Sequence, residues 1–116
     1  MTIFHIAHVS TWDAATARGY YDQSTRDATL AEVGYLHASG ADQLASVAEA
    51  FYADDPQPLC VLEISRAAVE QAGTRVIDED GGNGQFYPHI YGRLDPAWVT
   101  HVHPATFVNG RFTWGE

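Results

Sequence analysis

The chain has 116 residues, 46% apolar and 18% charged, so it can bury a core without staples, and one domain over residues 1–116 is expected. Six Lys+Arg against fifteen Asp+Glu leave a formal charge of −9, which excludes tight nucleic-acid binding through neutralised phosphates. All six cations are Arg, which excludes Schiff-base lysines, a P-loop lysine and Ser–Lys catalysis. The single Cys60 cannot close an internal disulfide, the start MTIFHIAHVS lacks a signal-peptide pattern, and no apolar run reaches membrane-spanning length. The expectation is a soluble cytoplasmic protein with no membrane contact and no obligate protein partner.

Along the chain, Thr2–His8 alternates as a first strand, with Ile3, His5 and Ala7 on one face and Phe4, Ile6 and His8 on the other. Ser10 and Asp13 fit a capping box for a helix ending near Arg18, where Gly19 supplies the left-handed stop. Tyr20 and Tyr21 follow in an extended or loop stretch, and Thr29–Glu32 reads as one helical turn. Gly34–Ala38 reads as a short strand that puts Tyr35 and His37 on one face and Leu36 on the other. Ser39 to Asp42 repeats the capping pattern ahead of the clearest helix, carried by Leu44, Val47, Ala48 and Phe51.

Asp54–Pro58 breaks that helix, and Leu59–Ile64 is an almost continuous apolar run, the mark of a central strand buried on both faces. Glu63 interrupts the run and requires a partner or a solvent opening. Ser65 caps a helix over Arg66–Gln71, and Thr74–Asp78 reads as a strand. Glu79–Gln85 is polar and Gly-rich, so a loop is expected there, followed by the aromatic cluster Phe86–Gly92. Asp95-Pro96 opens a helical turn, Trp98–His103 alternates as a strand, and Asn109-Gly110 marks a two-residue hairpin. Short strands mixed with short helices, with no regular βαβ alternation, give an α+β class.

The candidate chemistry lies in the histidines. His101 and His103 share a strand face at a spacing that suits a metal, but two histidines do not close a zinc site and no Cys is near, so no metal site is assigned. His5, His37 and His89 each sit in an apolar or aromatic setting. Alone, each reads first as a hydrogen-bonded structural imidazole; together, three such residues from separate segments could meet at one pocket. Tyr87 and Tyr91 could stack on a planar ligand or form core edges, and Ser39 is as good a helix cap as a ligand contact. Cys60, inside an apolar strand pattern, reads as an inert buried thiol.

Ile3-Phe4-His5-Ile6, Trp12, Gly19-Tyr20, Tyr35-Leu36-His37-Ala38-Ser39, Phe51-Tyr52, Leu62-Glu63 and Pro88-His89-Ile90-Tyr91-Gly92 resemble the domain of unknown function 952 family of small bacterial proteins. The resemblance spans nearly the whole chain. Two departures are mild: Tyr87 stands where the family usually has Phe, and Ala38 where Cys is common. The resemblance implies an ADP-ribosylation-like fold, with two small, mostly antiparallel sheets and short helices around a cleft.

By that fold-level analogy, NAD or a related nucleotide is the expected substrate, with no cofactor firmly implied. His5 would orient the ribose, and Glu79, with Glu63 as second choice, would steady a forming oxocarbenium ion. His37 or His89 would bind phosphate or move a proton, and Ser39, Tyr20, Tyr87 and Tyr91 would contact the ligand. The chain lacks a Glu-x-Glu or Gln-x-Glu pair, which disfavours transfer to proteins. A non-catalytic module for a nucleotide-like ligand and a metal-dependent hydrolase using His101, His103 and a further His are the alternatives.

Overall fold

A computed structural model describes residues 1–115. Its centre is the strand the apolar run anticipates: β5 (Leu59–Ser65) lies between β1 (Thr2–His8) and β8 (Val99–Val108), and β9 (Arg111–Trp114) completes a four-stranded antiparallel sheet of order β1-β5-β8-β9. Both faces of β1 and β5 are covered. Ile3 and Ala7 of β1 and Cys60, Leu62 and Ile64 of β5 point into one apolar cluster, with Trp12 and Ala15 of helix α1 (Val9–Arg18) and Val69 of helix α4 (Arg66–Gln71). Phe4, Ile6, Leu59 and Val61 point into a second, closed by Leu44, Val47 and Ala48 of helix α3 (Leu44–Phe51) and by Phe112. Each fully buried aliphatic side chain in these clusters contributes roughly 1.5–3 kcal/mol, which is why a period-two pattern filled on both faces holds its register.

A three-stranded antiparallel sheet, order β4-β7-β6, is formed by β4 (Leu36–His37), β7 (Phe86–Ile90) and β6 (Val76–Asp80). Leu36, Val76 and Ile90 on one face join the first apolar cluster. The opposite face carries His37, His89, Tyr87, Ile77 and Glu79, through the cross-strand pairs His37 with His89, Ile77 with His89 and Glu79 with Tyr87. The two sheets are stitched together where Phe4 and Ser39 exchange both backbone hydrogen bonds, each 2.8 Å long. A ribbon of β2 (Gln23–Thr25) and β3 (Ala28–Thr29), and the short helix α2 (Leu30–Val33), fill the stretch ahead of β4. The architecture is therefore mixed α+β with antiparallel sheets.

Several local expectations change. Helix α1 begins at Val9 directly from β1, with His8 at the cap position and no side-chain cap, because no residue separates strand from helix. Ser39 caps nothing, since its backbone belongs to the Phe4 pairing; the helical stretch opens at Gly40, whose N–H donates to Gln43 Oε1 at 2.8 Å. The expected loop from Glu79 starts later: Glu79 and Asp80 extend β6, and the turn covers 81–85. Asn109 and Gly110 adopt φ of 52° and 77°, the left-handed pair that a tight hairpin between β8 and β9 demands.

The β6–β7 turn depends on the size of Gly81. A Cβ there would lie 2.4 Å from a ring carbon of Tyr87. Gly81→Ala therefore has to displace the Tyr87 ring, and we expect a loss of about 1–3 kcal/mol in a chemical-denaturation midpoint measurement; an unchanged midpoint would show that the ring moves freely.

Candidate functional site

Two cavities adjoin on the side of helix α3 and share His37, Val47 and Phe51 as walls. One, of about 240 Å³, is mostly apolar and is lined by Phe4, Ile6 and Tyr52, with His5, Ser39 and Arg26 among its polar residues. The other, of about 380 Å³, is walled by Tyr35, Tyr87, His89, Asn83 and Asp80. His37 thus stands at the junction. Its Nε2 is buried and has no hydrogen-bond partner, and burial, with His5 and His89 nearby, pushes its pKa down to about 4. A neutral imidazole with an unanswered nitrogen between two cavities is the most conspicuous polar vacancy in the fold.

His5 lies beneath it. Nδ1 of His5 faces the His37 carbonyl and must donate to it, so Nε2 accepts from the Tyr21 hydroxyl at 2.8 Å. Burial lowers its pKa to about 4, so the ring is neutral and both nitrogens are engaged. In place of a ribose contact, the geometry gives His5 the work of holding the His37 backbone. The His37 N–H in turn donates to buried Ser24 Oγ at 3.2 Å.

His89 is buried against Tyr35, with ring centroids 3.9 Å apart and planes 14° from parallel. Its Nδ1 is 2.8 Å from Glu79 Oε1, which also accepts the Tyr91 hydroxyl. These hydrogen bonds, Tyr91's first, hold the Glu79 carboxyl below its usual range, so Glu79 is ionised and His89 presents Nδ1–H to it. The other ring nitrogen of His89, Nε2, is not part of this contact. Tyr87 is buried, receives a hydrogen bond from Asn83 at 2.9 Å, and lies 5.4 Å from His37, ring centre to ring centre. The centroids of His37 and His89 are 5.6 Å apart.

His5, His37, His89, Glu79, Ser39, Tyr87 and Tyr91 therefore occupy one neighbourhood, with Tyr91 at its exposed edge. Tyr20 does not join them: its ring is stacked by the guanidinium groups of Arg93 at 3.9 Å and Arg18 at 4.6 Å, and it lines neither cavity. Sequence reasoning missed Arg26 and Asn83, which lie in turns where no periodicity flags them, and Asp80, which ends β6 in a polar stretch that reads as a loop. It also ranked Tyr35 only as a strand residue, although it forms the closest ring stack in the site.

The remaining candidates lie elsewhere. Glu63 finds the partner it requires in His103 Nε2, at 2.7 Å, and His101 stands 4.3 Å from the His103 ring centre. Among the described residues, no group of three or more His, Cys, Asp or Glu is arranged to hold a metal ion. Cys60 is buried, and desolvation pushes its thiol up to about 11, which leaves it inert.

His5 and His37 link the site to stability. Both titrate near 4 when folded, against 6.5 for a free imidazole, so at intermediate pH the unfolded chain binds more protons. Stability is complete above pH ~6.5 and falls as pH drops towards ~4, by at most about 2 kcal/mol per imidazole at pH 5. Urea midpoints should be lower at pH 5 than at pH 7, and His37→Gln should narrow that gap. An equal gap in the variant would show that His37 is protonated as readily in the folded protein as in the unfolded chain.

Protein CC0527 from Caulobacter crescentus is similar throughout. Its crystal structure superposes with a TM-score of 0.81 at 25% identity, covering 97% of this chain and 94% of that one. Its solution structure gives a TM-score of 0.75 at 22% identity, covering 95% and 90%. No curated protein matches the chain. No helix is long and apolar enough to cross a membrane among the described residues. Residues 6–102 match the family described as "Protein of unknown function (DUF952)", and the chain belongs to that family.

Proposed function

We propose that this protein cleaves the bond between the ring nitrogen and the ribose of a nicotinamide-type nucleotide or nucleoside, with NAD or a related molecule as substrate. The observation that carries the reading is the Glu79–His89 pair: an ionised carboxylate holds Nδ1–H of an imidazole that walls a cavity and is stacked on Tyr35. The bond from C1′ to the ring nitrogen breaks, and its electron pair neutralises the positive ring. A water oxygen bonds C1′ and releases its proton to His89 Nε2. Because the leaving group departs neutral, a base is needed and an acid is not. Glu79 keeps the tautomer correct and stabilises the imidazolium as it forms. It works in this reading through His89, in place of facing the oxocarbenium ion directly. His37 Nε2 offers a hydrogen bond to the substrate, and the Tyr35 and Tyr87 rings offer apolar faces.

A second reading, a non-catalytic pocket for the same ligands, is favoured by one fact. Glu79 Oε1 already answers two hydrogen-bond donors, so that oxygen is not free to face a cation.

Release of free nicotinamide from NAD and from nicotinamide riboside, followed by chromatography, tests both. His89→Gln should abolish release. Glu79→Gln should lower it about 10- to 100-fold and shift the acid limb of the pH–rate profile, as expected of a residue that positions the base. Binding without release supports the non-catalytic pocket, and absence of both binding and release overturns the two readings together.

A further inference from the structure

We infer that the two cavities form one two-lobed site that selects a cationic, flat heterocycle free of phosphate. The inference rests on the cleavage reading above and narrows its substrate class to the nucleoside, which takes NAD and other phosphate-bearing members out of it. It follows from where charge lies along the shared wall.

Arg26 is the only Lys or Arg lining either cavity among the described residues. Its charge is already answered: NH1 lies 2.6 Å from Asp54 Oδ1 and donates to the Phe51 carbonyl at 3.2 Å, and Nε lies 3.1 Å from the buried carboxylate of Asp55. Asp27 lines the same cavity and adds a further negative charge. The other lobe carries Asp80 and no Lys or Arg, with ionised Glu79 behind His89. His5 and His37 add no positive charge, since burial keeps both neutral at pH 7.

A phosphate entering either lobe would therefore meet carboxylates and no uncommitted cation, inside a chain whose net charge is −9. A positive ring would meet the reverse. It would meet Tyr35 and Tyr87 in the lining of one lobe together with Asp80, whose Oδ1 accepts the Gly82 N–H at 2.8 Å, with Phe4, Ile6 and Val47 to cover its apolar surface in the other. Phe51 is 65% exposed although it walls both lobes, an apolar surface that a bound ligand would cover.

Calorimetric titration with two matched pairs tests this. 1-Methylnicotinamide and nicotinamide share a ring and differ mainly by the positive charge. Nicotinamide riboside and its 5′-phosphate differ by the phosphate. We expect the methylated cation to bind about fivefold or more tightly than nicotinamide, and the riboside more tightly than its phosphate. Asp80→Asn should reduce the first ratio by about threefold, the scale of a partly exposed charge pair. Equal affinities within either pair, tighter binding of the phosphate, or no binding by any of the four overturns the inference. If the methylated cation binds selectively and the riboside binds more tightly than its phosphate but releases no nicotinamide, the charge selection stands and the ribosyl-cleavage reading falls. If the riboside and its phosphate bind and release nicotinamide equally well, the cleavage reading stands and the charge selection falls.

Discussion

The arrangement of the site depends on a few hydrogen bonds between β1 and the segment that follows β4. Phe4 and Ser39 exchange N–H and carbonyl, and one residue away the His5 ring holds the His37 carbonyl. Backbone pairing of this kind aligns two chains to within a fraction of an ångström, because both donors and both acceptors must be satisfied together. The small sheet is thereby fixed against the edge of the large one, with its outer face turned towards helix α3. His37 cannot shift without breaking a buried ring hydrogen bond, and Tyr21 would lose its partner with it.

Burial decides the electrostatic character of the region. The chain is strongly acidic, yet His5 and His37 are neutral: desolvation outweighs the backbone hydrogen bonds that favour a charged His5 ring, and at His37 the neighbouring His5 and His89 act in the same direction as burial. The exposed turns supply the charge, and it is negative. Elsewhere in the chain charged and imidazole side chains are paired. His8 bonds Asp55, Arg66 bonds Asp78 and Glu70, and Glu63 bonds His103. His37 Nε2 and His103 Nδ1 are buried without a hydrogen-bond partner, and of the two it is His37 that lies between the cavities.

Where periodicity is long and filled, sequence and structure agree. Thr2–His8 and the Leu59–Ile64 run carry two-faced burial in their residue types, and the helix around Val47 and Ala48 declares one apolar stripe. Where an element is short, the signal fades. β2 and β3 have three and two residues, too few to show alternation. Glu79 and Asp80 have the composition of a loop, but the backbone ladder to Tyr87 and Phe86 holds them in a strand. Ser10 and Ser39 have the chemistry of caps, but a strand running directly into a helix claimed one position and a cross-sheet bridge the other.

The histidine neighbourhood was legible as a set of residue types and illegible as a geometry. His5, His37 and His89 each announced themselves as polar rings in apolar company, whereas Tyr20 entered only through the family resemblance. Composition, strand phase and turn chemistry belong to the sequence by itself, since they depend on side-chain type and on spacings of two to four residues. Which rings share a wall, which carboxylate orients which imidazole, and whether an arginine is free or neutralised depend on pairing between distant segments. His5 reaches His37 across 32 residues and Arg26 reaches Asp54 across 28. No local pattern encodes those distances, so only the closing of the two sheets onto one another decides them.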